Sequence, residues 1–195
     1  MKKIPTLFER VYENHKNVDI KPNFTDEKCQ KAFELGIATV KWDGSCCAII
    51  DGEFYKRYDA KRGKTPPEGA IPCCEPDPVT GHWPHWVKVD KDNPADIWYV
   101  RAYEFAEEHD MLSERGDATY EAVGPHFNGN PYEWDQDMLI QHGQTYVDVT
   151  TTFEGVKKWL ETHGQEGLVF WLHGEPVCKI KRSDFGLPWP VKKGV

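Results

Sequence analysis

The sequence has little that would take it into or across a membrane. No uninterrupted apolar run approaches the roughly 20 residues that span a bilayer, and Met1 to Lys16 is studded with charges where a secretory signal would carry an apolar core. Positive charge is also scarce: 24 Lys and Arg against 32 Asp and Glu leave a net charge of -8. A passive nucleic-acid coat protein needs a basic surface, so that class is excluded, whereas an enzyme meeting nucleic acid through one local basic strip is not. The 6 cysteines include two adjacent pairs, Cys46-Cys47 and Cys73-Cys74, an arrangement unsuited to a secreted disulfide framework. Reduced thiols and a soluble, cytoplasmic protein without a membrane partner are expected. Internal repeats and low-complexity tracts are absent as well.

What is present is enough for one core. A chain of 195 residues with 39% hydrophobic and 13% aromatic residues, 8 Trp among them, should fold. It is too short for two domains of ordinary size, so a single domain over 1–195, acting as a monomer, is expected.

Local patterning gives the elements. The stretch from Gly63 to Pro84 is too rich in Pro and Gly for a helix or a central strand and reads as a long loop, a kind of segment that is often functional. Ahead of it, β-branched and aromatic runs predict strands at Ile37 to Lys41, Cys46 to Ile50 and Glu53 to Tyr58. Asp51-Gly52 between the last two is the strongest hairpin signal in the chain, because a type I′ turn needs positive φ at both central positions. Asp96 to Leu112 has helical apolar spacing. Strands follow at Ala118 to Val123, ended by Gly124-Pro125, and at Met138 to His142. The segment TTFEGVKKWLETHG is the clearest helix: Thr151 and Glu154 suggest a capping box, Phe153, Val156, Trp159 and Leu160 share a face, and Gly164 would close it.

The last two strand-like runs are Glu166 to Leu172 and Val177 to Lys181. If His173 to Pro176 is a four-residue hairpin loop, Leu172 pairs with Val177, Phe170 with Lys179 and Leu168 with Lys181. Alternation then places Glu166, Lys179 and Lys181 on one face, with Cys178 and Ile180 on the other. Two inward lysines beside a carboxylate are costly unless they bind something anionic.

Lys41 at a strand-turn junction before Asp43-Gly44, Glu166-Gly167 opening an apolar strand, and Lys179-Ile180-Lys181 on its partner are each weak signals alone. Their order resembles the covalent nucleotidyltransferase superfamily of DNA ligases, RNA ligases and mRNA capping enzymes. Lys41-Trp42-Asp43-Gly44-Ser45 looks like its first motif, whose lysine becomes linked to a nucleoside monophosphate. Arg57 matches the arginine that follows, Tyr120-Glu121-Ala122-Val123-Gly124 looks like the third motif, Glu166-Gly167-Leu168-Val169 the fourth and Lys179-Ile180-Lys181 the fifth. Over nearly the whole length, the phrases IATVKWDGSC, PDPVTGHWPHW, TYEAVGPHFNGNP and KIKRSDFGLPW are similar to the small RNA ligase 1 family of 5′-3′ RNA ligases. About fourteen residues follow Lys181, too few for the OB-fold domain that DNA ligases and capping enzymes carry there.

The resemblance implies an α+β fold: antiparallel sheets forming a nucleotide-binding cleft flanked by helices, as in a ligase adenylyltransferase domain, with no OB domain. It implies Lys41, Lys179 and Lys181 as catalytic residues and Val40, Lys41, Asp43, Gly44, Arg57, Glu121, His142, Glu166, Lys179 and Lys181 as the ATP site. Glu166 and Asp43 are implied for Mg²⁺ or Mn²⁺, and His142 or Tyr146 for base stacking. The chemistry agrees with the residue types. An amine attacking the α-phosphate of ATP must be neutral, and nearby cations and burial would favour that form; the same cations stabilise charge on the phosphate as pyrophosphate leaves. The substrate implied is RNA with 5′-phosphate and 3′-hydroxyl ends, held by a strip of Lys56, Arg57, Lys61, Arg62 and Lys64, with Lys192 and Lys193 reading better as a solvated pair. Another nucleotidyl transfer, DNA nick sealing or GTP-dependent capping, and a catalytically idle nucleotide- or RNA-binding module remain as alternatives.

Other signals are set aside at this level. Cys73, Cys74, His82 and His85 match no standard zinc spacing. Trp83 and Trp86 suit either base stacking or packing of the loop. Cys46 and Cys47 read as small core residues, since no histidine partner is evident, and Phe185 to Pro190 reads as a C-terminal tie-down.

Overall fold

The computed structural model describes residues 3–14, 16–78 and 80–190. Lys192 and Lys193 of the expected basic strip lie outside them. In chain order the strands are β1 (Phe8–Glu13), β2 (Lys16–Phe24), β3 (Ile37–Lys41), β4 (Ser45–Ile50), β5 (Glu53–Ala60), β6 (Ile71–Pro72), β7 (Trp83–Lys88), β8 (Ala118–Val123), β9 (Met138–Gln141), β10 (Tyr146–Val147), β11 (Gly167–Leu172) and β12 (Glu175–Lys181). The helices are α1 (Glu27–Leu35), α2 (Ile97–Glu108) and α3 (Phe153–Thr162), none of them long and apolar enough to cross a membrane. The protein is α+β with antiparallel sheets, and it divides into two compact units: Gly44–His142, and Lys3–Asp43 with the chain from Gly143 on.

The first unit is a six-stranded sheet in the order β6-β7-β5-β4-β8-β9. Cys47, Ile49, Tyr120, Ala122 and Leu139 point from it into a core shared with Ala102 and Ala106 of α2. Asp51 and Gly52 turn the β4-β5 hairpin with φ of 51° and 76°, the two positive values that the Asp-Gly signal calls for. The expected loop at 63–84 holds the short β6, and its end begins a strand that proline content concealed. Pro84 is built into β7 opposite Asp59, and its carbonyl accepts from the Cys73 N–H at 2.9 Å. Trp86 of the same strand is buried, so it packs rather than presenting a ring to solvent.

The second unit is a four-stranded sheet in the order β10-β3-β11-β12 together with the β1-β2 hairpin. Its core joins Phe8, Phe33 and Phe170, with ring centroids 5.8 and 5.3 Å apart, to Val156 and Leu160 of α3 and to Leu168 and Ile180 of the sheet. Helix α3 carries the expected apolar face, but its cap is Thr152, whose hydroxyl accepts from the Gly155 N–H at 3.0 Å, and it ends at His163 instead of Gly164. Helix α1, unmarked by strong periodicity, starts at an Asp26 cap accepting from the Cys29 N–H.

The β11-β12 hairpin corrects the expected register. His173 and Gly174 form a two-residue turn with φ of 52° and 80°, and a bulge lies between Phe170 and Trp171. Leu172 therefore pairs with Glu175, Phe170 with Cys178, Val169 with Lys179 and Gly167 with Lys181. The four-residue loop fails because His173 adopts the positive φ that a tighter turn requires.

Candidate active site

Strand β11 lies between β3 and β12, and Gly167 faces Lys41 on one side and Lys181 on the other. Residues opposite one another on neighbouring strands share a sheet face, so the two lysines flank a residue with no side chain. A Cβ at Gly167 would lie 2.1 Å from the Ile180 carbonyl oxygen and 3.0 Å from Lys181 Cα, which makes glycine obligatory in this register. The next row on that face is Thr39, Val169 and Lys179. Cys178 and Ile180, on the opposite face, are buried in the core.

Glu166 sits one residue ahead of β11, outside the alternation that was expected to aim it. Its backbone is held by the Arg182 N–H, which donates to the Glu166 carbonyl at 2.9 Å. The buried carboxylate accepts a hydrogen bond from Lys41 Nζ at Oε2 and forms an ion pair with Lys181 Nζ at Oε1, 2.8 Å away. The lysines and the acid thus meet as expected, by a different local route.

Lys179 is clamped by the start of the chain: its carbonyl accepts from the Leu7 N–H at 2.7 Å and its N–H donates to the Pro5 carbonyl at 3.0 Å. Burial, then the positive charges of Lys41 and Lys181, lower its pKa from 10.5 to about 8, against the opposing pull of Glu166. The clamp could not be read locally, because a parallel bridge from residue 6 to residue 179 leaves no periodic signal. Val40 is buried, with its N–H on the Thr145 carbonyl, and Asp43 Oδ2 accepts from Trp189 Nε1 at 2.7 Å. This last bond gives the C-terminal tie-down a concrete anchor. Tyr146, a stacking candidate on β10, is exposed.

The other expected nucleotide residues gather in the first unit. The Gly44 N–H donates to Glu121 Oε1 at 3.0 Å, and Glu121 Oε2 is 2.9 Å from His142 Nε2, whose Nδ1 is 2.9 Å from Thr119 Oγ1. Gly44 has no room for a Cβ, which would lie 2.1 Å from the Ala122 carbonyl oxygen. Cys46 pairs with Glu121 across β4 and β8, and its sulfur lies within 4.8 Å of the Glu121 and His142 ligand atoms. His142, which no sequence signal places beside Cys46, is thus near it, but its two ring nitrogens face Glu121 and Thr119. Burial and then Glu121 push the thiol up to about 12, against the pull of the Arg57 guanidinium, so it is a poor nucleophile.

The expected RNA strip is uneven. Lys56 is paired with the buried Asp96, and Arg57 Nε donates to Asp59 Oδ1 at 2.8 Å. Lys61, Arg62 and Lys64 are exposed. His85 is buried with Nδ1 against the Trp83 carbonyl, and Trp83 Nε1 donates to the Cys74 carbonyl at 2.7 Å.

Among known proteins, no family model matches the chain. The sequence is similar to RNA ligase 1 of Pongo abelii, with 30% identity over an alignment of 215 positions, gaps included, that covers 89% of this chain and 61% of the relative. The chain spans less than two thirds of that protein's length, and the similarity supports a relationship to RNA ligases.

Proposed function

We propose that the chain is an ATP-dependent RNA ligase working through a covalent lysyl-AMP intermediate. The observation that carries this reading is the row Lys41, Gly167, Lys181 with Glu166 bridging its two amines and Lys179 beside them. Three ammonium groups around one carboxylate form a site with an excess of positive charge, suited to a phosphate.

In this reading Lys41 Nζ attacks the α-phosphorus of ATP, forming a P–N bond and breaking the P–O bond to pyrophosphate. Lys41 reacts as the neutral amine, its ammonium proton having passed to solvent, and the second proton, released from Nζ as the P–N bond forms, passes to Glu166 Oε2, to which Nζ is hydrogen-bonded. Lys179 and Lys181 hold the phosphate oxygens as charge builds on them. An RNA 5′-phosphate oxygen then attacks the same phosphorus and releases Lys41, leaving adenylated RNA. A 3′-hydroxyl attacks the 5′-phosphate and AMP departs. Gly44, Arg57, Glu121 and His142 keep their assignments as nucleotide contacts in this proposal. Each Glu166 oxygen faces one lysine and keeps a further lone pair, so Glu166, with Asp43, would hold Mg²⁺ or Mn²⁺, and the ion would neutralise charge on the phosphates of ATP.

Intact mass measurement after incubation with ATP and Mg²⁺ tests the proposal. An added AMP that is absent from Lys41→Ala and is discharged by 5′-phosphorylated RNA is the expected result. An adduct formed with GTP instead would assign the chain to capping-type chemistry, and an adduct on Lys41→Ala would falsify the nucleophile.

A further inference from the structure

On the second unit, a groove of about 870 Å³ runs along the β1-β2 hairpin and ends at the amine cluster. Lys3, Arg10, Lys21, Lys179 and Lys181 line it against one lining carboxylate, Glu9, among the described residues. In a chain of net charge -8 this concentration of cations is costly through mutual repulsion. Arg10 is not a loose surface charge: Nε donates to the buried Asp184 Oδ1 at 2.8 Å and Nη2 forms an ion pair with the same oxygen at 2.6 Å, which fixes the guanidinium on the groove. Tyr12, two residues along β1, also lines the groove and is 59% exposed.

Two phosphate-bearing ligands could use such a groove: the pyrophosphate end of ATP, or a nucleic-acid strand. The volume falls within the roughly 300–1,000 Å³ typical of sites that enclose a whole organic ligand. Pyrophosphate has no use for an exposed aromatic ring, whereas alternating cations and a stacking platform are what a single strand requires. We propose that this groove holds the single-stranded RNA segment adjoining the reacting 5′-phosphate. Its phosphodiesters lie on Arg10 and Lys21, a base stacks on Tyr12, and the end is delivered to Lys179 and Lys181. The assignment rests on the ligase reading for the identity of the strand, and it adds a surface that the sequence did not suggest, built from residues of the second unit where Lys61, Arg62 and Lys64 belong to the first.

The test is direct binding of a fluorescent 5′-phosphorylated single-stranded RNA to the full chain, without ATP, as a function of salt. Lys21→Glu and Tyr12→Ala should each weaken binding by about tenfold, the scale of a lost stacking contact. Lys21→Glu should also lower the slope of log affinity against log salt by about 0.7, the value for one phosphate contact on a single strand. Lys21→Gln should lie between the parent and Lys21→Glu. Unchanged RNA affinity and salt slope in both variants overturn the groove, as does a pattern in which Lys21→Glu raises the KM for ATP in adenylation and leaves RNA binding intact. Adenylation of the parent protein is measured in parallel. Its absence would remove the ligase reading while leaving the binding result to stand by itself, so the two failures are distinguishable.

Discussion

Lys41 Nζ is hydrogen-bonded to Glu166 Oε2 although the two residues are 125 apart in the chain. The contact exists because β11 is inserted between β3 and β12, which lines up Lys41, Gly167 and Lys181 across three strands. A single carboxylate then serves two amines, and Lys179 has no share of it as a hydrogen-bond acceptor. The cluster is short of negative charge by construction, and an incoming phosphate supplies it.

Glu166→Gln keeps the shape and removes that charge. With the Lys41 and Lys181 amines facing each other across a neutral amide, the variant should lose about 1–3 kcal/mol of stability. Sulfate should raise its Tm more than it raises the parent's, because an anion replaces the lost partner. Adenylation should fall to background. Equal sulfate responses in the two proteins would show that the carboxylate does not balance the lysines.

Gly167→Ala tests the register. The added methyl would need to occupy space 2.1 Å from the Ile180 carbonyl, so β11 and β12 must move apart and carry Lys181 away from Glu166. A loss of about 3 kcal/mol, at the upper end of overpacking costs, is expected in urea denaturation, together with lost adduct formation. A stable, fully active Gly167→Ala protein would mean that the strands pair differently.

How far this site was legible depends on the kind of signal each residue leaves. Lys41, Asp43-Gly44, Glu166-Gly167 and Lys179-Ile180-Lys181 could be singled out because strand ends and turns have local chemistry. Their partners across the sheet could not be read as securely, since register turns on one backbone choice: His173 at positive φ shortened the loop and moved every pair. Glu166 reached the lysines although the alternation argument placed it inside the strand, because the Arg182 N–H holds its carbonyl from outside. The clamp on Lys179 by residues 5 and 7, and the salt bridge from Arg10 to Asp184, join opposite ends of the chain and have no short-range trace. Strand β7 was hidden by proline in a sequence that otherwise reads as loop.

The cap of α3 offers a test of the fold alone. Thr152 accepts from the Gly155 N–H, so Thr152→Ala should cost about 1 kcal/mol, and Thr151→Ala, whose hydroxyl was the expected cap, should cost only a few tenths. The reverse order in thermal denaturation would return the cap to Thr151.

Lys179 links stability to pH. In the unfolded chain its amine keeps a proton up to the ordinary lysine value of about 10.5, while in the folded protein burial and the neighbouring lysines bring it to about 8. Between those values the unfolded state binds more protons, so this residue's contribution to stability rises as pH increases through the window, and the penalty is fully present below it. Lys179→Met removes the charge and keeps the stem. It should therefore be more stable than the parent at pH 7, by about 1–2 kcal/mol once solvent screening of a half-buried group is allowed for, and the advantage should fade by pH 10.5. Urea midpoints at the two pH values measure this, and a gain independent of pH would assign the effect to packing. The same variant should fail to form the AMP adduct, since the charge that costs stability in the empty protein is the one an incoming phosphate needs.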